Sequence, residues 1–419
     1  SDEDELDFRE VINYLRENKQ LIHYALLIGV IITGAWIRTL SMNNYNDFLL
    51  GLDPYVFYRY ANTLVEEGSL PQVDNLRYFP EGFPTFKEHH MVTYFIAYTY
   101  KIFSPVFGGE LIDYATIYPV IAFIASMVFF YLMIKEIFNK KTALVGTTFL
   151  ALAPSYLFRT IAGFSDKEAL ATVWWFSMIY FLIKSVKAKK LKPVITNGLI
   201  SGVLGGLAGL TWGGFEFLFH AVAFTFLLQT LLNNINRKKA LTYFCWFTPM
   251  ILMNATLTLR YQGFNLITKR PFIPSIIAFL IICLKLITPK QSSKKKDAYH
   301  FLKVLIITTL IMVPLIQFSG VFDVAGEFNK IFAKISNPFG TGAFGSSVTE
   351  NQSPWFLDPQ RGIDWWHRLK WHTILFTIGS ALLSYELFKK LKVKKSIMIT
   401  ISFTVFTLFF MFSKFVNKP

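Results

Sequence analysis

The sequence predicts an all-α polytopic membrane protein, and three observations carry that reading. Of 419 residues, 53% are hydrophobic and only 16% are charged, well below the roughly one quarter typical of soluble domains. Apolar runs of about 17–25 residues recur along the chain, the length a helix needs to cross a bilayer. Lysines gather in short clusters between those runs, the pattern of cytoplasmic loops. The net charge of +15 therefore reads as membrane anchoring and excludes nucleic acid as the expected partner. Cys245 and Cys283 both fall inside apolar runs and read as packing residues. Residues 1–20 are polar and amphipathic, and the first apolar run is long enough to span, so no cleavable signal peptide is expected.

The expected spans are 21–40, 112–137, 141–157, 169–187, 194–212, 213–233, 239–258, 272–288, 301–318, 371–389 and 396–414, about eleven in all. Run 91–108 is interrupted by Lys101, Pro105 and two glycines, and the lysines decide its status. Clusters stand at Lys140-Lys141, Lys184 to Lys192, Arg237-Lys238-Lys239, Lys290 to Lys296 and Lys389 to Lys395. If 91–108 does not cross, all of them share the side of the N-terminus; if it crosses, all violate the positive-inside tendency. Residues 91–108 are thus expected to form an interfacial or re-entrant helix. The N-terminus is expected to be cytoplasmic, with loops 41–111, 158–168 and 319–370 external. Ser292-Ser293 with Lys294–Lys296 reads as a solvated inner loop. No internal repeat or low-complexity tract is visible.

That parity brings two acidic motifs to one face. Gly51-Leu52-Asp53-Pro54-Tyr55 follows the first apolar run, and Gly163-Phe164-Ser165-Asp166-Lys167-Glu168 follows the third. Carboxylates beside a bilayer are costly to desolvate unless water, a cation or a base pairs with them. Asp166 and Glu168 can converge on a cation from an extended or turning loop, and Asp53 can add a third oxygen. Such a set suits Mg²⁺ or Mn²⁺, which neutralises a diphosphate leaving group or polarises a reacting oxygen. The competing reading makes each acid a helix cap or a mark of a wet interface, and Asp166 before an apolar run is a natural N-cap. Arg159 stabilises the acidic loop, binds phosphate, or simply anchors the interface. His89-His90 is an adjacent pair, poor geometry for a shared metal, and reads as interfacial polarity. Trp365-Trp366 reads as part of an aromatic belt. The triplets Asn254-Ala255-Thr256 and Asn351-Gln352-Ser353 match glycan-acceptor sequons by chance, one lying within a span and the other preceding Pro354. The external segment 319–370 is long enough to act as a lid, with glycines at 340, 342 and 345 as hinges. Lys414 and Lys418 at the outer end of the last run attract an anionic head group or are ordinary terminal lysines.

The motifs, in order, resemble the STT3 family, the catalytic subunit of oligosaccharyltransferase, especially its archaeal members. Asp53-Pro54-Tyr55 is similar to the family's first acidic motif, and Tyr78-Phe79-Pro80-Glu81-Gly82 to an aromatic-Pro-x-Gly element later in that loop. The run from Pro154 through Arg159 to Asp166-Lys167-Glu168 resembles the second acidic motif with its upstream arginine. Trp212-Gly213-Gly214 resembles a turn between two spans, and Ser347-Val348-Thr349-Glu350-Asn351-Gln352 the Ser-Val-x-Glu motif of the fifth external loop. The resemblance covers nearly the whole chain. It implies a GT-C-type glycosyltransferase transmembrane domain over 1–419 with two long external loops, and protein N-glycosylation. An oligosaccharide would pass from a dolichyl phosphate or diphosphate carrier to the Asn side chain of an Asn-x-Ser/Thr sequon. It further implies that Asp53, Asp166 and Glu168 hold Mn²⁺ or Mg²⁺, and that Asp53 and Glu350 contact the acceptor carboxamide. Arg159, Thr349 and Lys414 are the expected further substrate contacts. The implied location is the cell membrane with the catalytic loops outside, or the endoplasmic reticulum membrane with a luminal face in a eukaryote.

Complete members carry about thirteen spans and then a globular domain whose Trp-Trp-Asp-Tyr-Gly motif reads the sequon hydroxyl. Trp365-Trp366-His367 is not that motif. The expectation is that the sequon-reading domain is absent from these residues and that the missing region is supplied by another chain, or that the sequence is a fragment. A polyprenyl-phosphate-sugar mannosyltransferase is the enzymatic rival, distinguished by lacking a Ser-Val-x-Glu loop. A transporter is the rival from another class; it would place acids near mid-membrane and often show internal repeats.

Overall fold

The computed structural model describes residues 18–42, 48–320 and 323–336, with isolated positions 374, 375, 378, 379, 382 and 385. They fall into two compact units divided between Trp212 and Gly213.

In the first unit, α1 (Lys19–Thr39), α4 (Leu111–Ile137), α7 (Lys167–Lys187) and α8 (Leu191–Thr211) are the long apolar helices. Between α1 and α4 lie α2 (Asp53–Glu66), a two-stranded antiparallel hairpin of β1 (Val73–Asp74) and β2 (Phe83–Pro84), and α3 (Met91–Phe107). Between α4 and α7 come α5 (Lys140–Leu152) and the short α6 (Pro154–Phe158). Here the structure corrects the expected single span 141–157. Pro154 lacks the N–H that would continue α5 and opens a new helix instead. Thirteen residues remain in α5, about 20 Å at 1.5 Å per residue and short of a roughly 30 Å hydrocarbon core.

α7 and α8 pack closely because α8 presents Gly198, Gly202, Gly205, Gly206 and Gly209, all buried. Small residues let helix backbones approach where lipid supplies no hydrophobic drive. Hydroxyls fasten the same seam: Ser201 Oγ donates to the Met178 carbonyl at 2.8 Å and Ser185 Oγ to that of Val194 at 2.7 Å. Trp174 Nε1 donates to Thr211 Oγ1 at 3.0 Å, and Ser126 and Thr172 join α4 to α7 at 3.0 Å. A second buried cluster sits under the first loop, where Phe57, Ala61 and Leu64 of α2 meet Val92, Ile96 and Ala97 of α3 and Ala115 and Tyr118 of α4.

The second unit contains α9 (Phe215–Leu231), α10 (Arg237–Thr256), α11 (Ile273–Ile287), α12 (Lys294–Ser319) and α13 (Val324–Ser336). α12 begins seven residues before the expected 301, because Ser293 caps it by accepting from Lys296 N. The lysines read as a solvated loop are its first turn. α13 places a helix inside segment 319–370. Asn254 is buried in α10, donating to the Met250 carbonyl at 2.9 Å. Aromatic rings fill this unit, with Phe219 against Trp246, Tyr243 against Phe226, and Phe215 against Phe272.

Among the described residues, five helices are long and apolar enough to cross a membrane: Gln20–Thr39, Leu111–Ile137, Lys167–Lys187, Leu191–Thr211 and Lys294–Ser319. Phe215–Leu231 and Ile273–Ile287 are shorter apolar helices. The expected spans 371–389 and 396–414 lie outside the described residues apart from those isolated positions. The protein is a multi-pass membrane protein.

Candidate active site

The second acidic motif is held by bonds that a proline sets up. Pro119 inside α4 has no N–H to offer the Ala115 carbonyl one turn earlier. Ser165 Oγ donates to that carbonyl instead. One residue on, the Thr116 carbonyl accepts from Gly163 N at 2.8 Å. Gly163 has φ of +85°, a left-handed conformation that suits glycine, and its carbonyl accepts from Leu50 N at 2.8 Å. Tyr118 Oη donates to the Asp166 carbonyl at 2.8 Å. The 162–166 stretch is therefore fixed to α4 and to the chain that leads into Asp53.

α1 grips the other side. Arg38 is fully buried, its guanidinium 3.6 Å from the Phe123 ring centroid. Its Nε donates to Thr160 Oγ1 at 2.7 Å, and Nη1 donates to the carbonyls of Gly34 at 2.9 Å and Ala151 at 3.1 Å. The Arg38 carbonyl accepts from Ala162 N at 2.9 Å. Sequence reasoning missed Arg38. The available signal was an arginine at the end of an apolar run opposite the lysine clusters.

On this frame stand the acids. Asp166 is the N-cap of α7, its Oδ1 accepting from Lys167 N at 2.7 Å, so the capping reading holds. It is buried and also ion-paired. Arg159 Nη1 lies 3.8 Å from Asp166 Oδ2 and 3.6 Å from Glu168 Oε1. Glu168 Oε2 is buried with no hydrogen-bond partner. Asp53 opens α2, whose second residue is Pro54, and its carboxylate feels the Asp166 charge. Crowding by protein atoms first, and then Asp166, push its pKa above the ordinary value, against the pull of Lys167.

A second charge chain, also missed from sequence, links the first loop to this site. Lys167 Nζ lies 3.5 Å from Glu88 Oε1, and Arg77 Nη1 lies 3.4 Å from Glu88 Oε2. Burial pushes the Glu88 carboxyl up; Lys167, the His89 backbone N–H and Arg77 outweigh it and hold it below the ordinary value. Tyr60 Oη donates to Asp74 at 2.7 Å, and Arg59 binds both Asp74 oxygens. His90 Nε2 lies 2.7 Å from the Thr85 carbonyl, its ring edge-on to Tyr60. The histidine belongs to the loop's own packing.

Of the residues named from sequence, Asp166, Glu168 and Arg159 are brought into contact, and Asp53 comes within electrostatic reach of Asp166. Among the described residues, no three His, Cys, Asp or Glu side chains stand together as a group able to hold a metal ion. Thr349, Glu350 and Lys414 lie outside the described residues. The donor chemistry nonetheless fits a hard cation: the oxygens are carboxylate, and one of them is buried without a partner.

Residues 21–354 match the family model described as oligosaccharyl transferase STT3, N-terminal. The chain belongs to the STT3 family. It is 25% identical over 272 residues to dolichyl-phosphooligosaccharide-protein glycotransferase 3 of Archaeoglobus fulgidus, a match covering 61% of this chain and 31% of that relative. The fold of the STT3 chain resembles the archaeal oligosaccharyltransferase AglB of Archaeoglobus fulgidus, solved with an inhibitory peptide and a dolichol-phosphate. That likeness has a TM-score of 0.71 at 20% identity and covers 92% of this chain and 46% of that one. An oligosaccharyltransferase of the same organism solved with Zn and sulfate gives a TM-score of 0.64 at 18% identity, covering 91% and 46%. The chain thus spans less than half the length of these relatives.

Proposed function

We propose that this chain forms the membrane part of an enzyme that transfers an oligosaccharide from a lipid-linked phosphate or diphosphate donor to Asn in Asn-x-Ser/Thr sequons. The observation that carries the proposal is the pinned 159–168 segment, which buries Asp166 and half-buries Glu168 beside Arg159 at the end of the helices where Asp53 also stands. The named activities of the relatives supply the reaction class.

Asp53, Asp166 and Glu168 would hold Mn²⁺ or Mg²⁺, which supplies charge neutralisation for the phosphate leaving group. The residues of the chain supply the rest. An amide nitrogen is a poor nucleophile because its lone pair is delocalised into the carbonyl. Asp53 and Glu350 accept hydrogen bonds from its two N–H groups and turn it towards C1 of the sugar. Positioning and fixed charge then supply much of the rate gain. Arg159 balances the Asp166 and Glu168 charges and, with Thr349 and Lys414, contacts the substrates. Segment 319–370 closes over the acceptor as a lid. The acid end faces outward and the lysine end faces the cytoplasm. Cysteine labelling at Leu76→Cys and at Lys295→Cys should therefore proceed from opposite sides of the membrane.

Membranes carrying a complete version of the enzyme, with the sequon-reading region present, incubated with lipid-linked oligosaccharide, Mn²⁺ and a fluorescent Asn-x-Thr peptide, should label that peptide and leave a Gln-x-Thr control unlabelled. Asp53→Ala and Glu350→Ala should each lower turnover by about 10²-fold or more. Metal-independent transfer, or equal labelling of the Gln peptide, overturns the reading.

A further inference from the structure

Lys167 is an awkward residue for a cation site. It stands between Asp166 and Glu168 in the chain, and its ammonium is within electrostatic reach of Asp53. An untethered lysine there is a built-in competitor for any divalent ion the acids would take. The structure shows where it goes instead. Its Nζ lies 3.5 Å from Glu88 Oε1 and 5.1 Å from the centre of the Phe57 ring, with the side chain only 18% exposed. Glu88, 17% exposed, is itself held from the other side by Arg77 at 3.4 Å, and Arg77 lies over the Phe83 ring at 3.9 Å. β2 carries Phe83, so the hairpin fixes Arg77, Arg77 fixes Glu88, and Glu88 fixes Lys167. A largely shielded ion pair of this kind is costly to form and disruptive to break, because the remaining charge must find another partner. A freed Lys167 already has Asp53 and Glu168 within electrostatic reach.

We infer that Glu88 is a positioning residue that draws the Lys167 ammonium off Asp53, Asp166 and Glu168, so that the fold of the first loop sets the affinity of those acids for a divalent cation. The inference rests on the reading that these three carboxylates bind the ion. Glu88 acts through Lys167 and does not itself touch the ion.

The test is Mn²⁺ binding to the detergent-solubilised chain, followed by electron paramagnetic resonance of free Mn²⁺, for wild type, Glu88→Gln, Lys167→Gln and the double variant. Glu88→Gln keeps the size of the side chain while removing its charge, and should weaken Mn²⁺ binding by about five- to tenfold as the freed ammonium moves onto the acids. Lys167→Gln should bind at least as tightly as wild type. The double variant should regain the Lys167→Gln affinity, since the competitor is gone. A double variant as weak as Glu88→Gln overturns the inference, making Glu88 a direct ligand or a support for the loop. So does Glu88→Gln with wild-type affinity. Asp166→Asn with Glu168→Gln separates the two levels. If that pair abolishes Mn²⁺ binding while the double variant fails to recover, only the role of Glu88 falls. If wild type and the Asp166, Glu168 pair bind alike, the three-carboxylate reading falls and the role of Glu88 falls with it.

Discussion

The two ends of the helices in the first unit carry opposite charge and treat it oppositely. At the lysine end, Lys187 Nζ meets Glu136 Oε1 at 3.3 Å with the two side chains 51% and 34% exposed. Asn139 caps α5 through Lys141 N and Thr142 N, both at 3.0 Å, on open surface. The connections there are brief, and the charges of that pair are open to water. At the acid end the chain runs through long loops, yet Asp74, Asp166 and Arg38 are buried and each is tied to a different element. Solvated charge at a membrane surface costs little and carries topology. Buried charge is retained at a cost, and the segment that retains it is where chemistry is expected.

Substitutions at the two ends should separate most widely in activity. Asp166→Asn or Glu168→Gln should lower oligosaccharide transfer by about 10²- to 10³-fold, the scale lost when a fixed electrostatic group leaves an active centre. Lys187→Met should change it by less than about twofold, as expected of a screened surface charge. Comparable losses at both ends, measured with equal amounts of folded protein, would dissolve the contrast.

Stability sharpens it next. Burial pushes the Asp74 carboxyl up, but Arg59, Tyr60 and the Leu76 backbone N–H outweigh it and bring its pKa to about 2. A folded pKa below the unfolded one means that the unfolded chain takes up the proton first. The stabilisation is therefore complete above the ordinary aspartate range near 4 and is lost as pH falls from there through about 2. Asp74→Asn leaves Arg59 half-satisfied and should destabilise the first loop by about 1–3 kcal/mol at neutral pH. Thermal unfolding in detergent should show the difference between wild type and variant shrinking at low pH. A difference that stays constant from pH 7 to pH 2 would reject the assignment.

The acids themselves were legible in sequence because carboxylates beside apolar runs are conspicuous, and lysine parity was enough to put them on one face. Their supports were much less so. Ser165 finds the Ala115 carbonyl, and Lys167 finds Glu88, across 50 and 79 residues of chain; packing, not local pattern, sets such partnerships. Pro119 was visible, but its consequence, a free carbonyl waiting for a hydroxyl, needs the loop in place. Among the described residues, the long helices lie on the apolar runs. Helix ends do not follow them, since Pro154 starts a helix within an apolar run and Ser293 starts one within a polar stretch.

The smallest expected effect tests the lysine end on its own terms. Glu136→Gln removes the acid from an ion pair whose charges are open to water, where Coulomb attraction is weak and offset by the entropy of holding two long side chains together. The loss should be at most about 0.5 kcal/mol, a shift of a degree or two in Tm. It should vanish further as salt is raised, because the Debye length falls to about 3 Å at 1 M. Lys187 also donates to the Glu136 backbone carbonyl, a bond the substitution leaves intact, so the ammonium is not left without a partner. A loss above about 1 kcal/mol that persists in 1 M salt would show that this end, too, holds its charges by burial. The charge of Glu136 would then belong with those of the acid end.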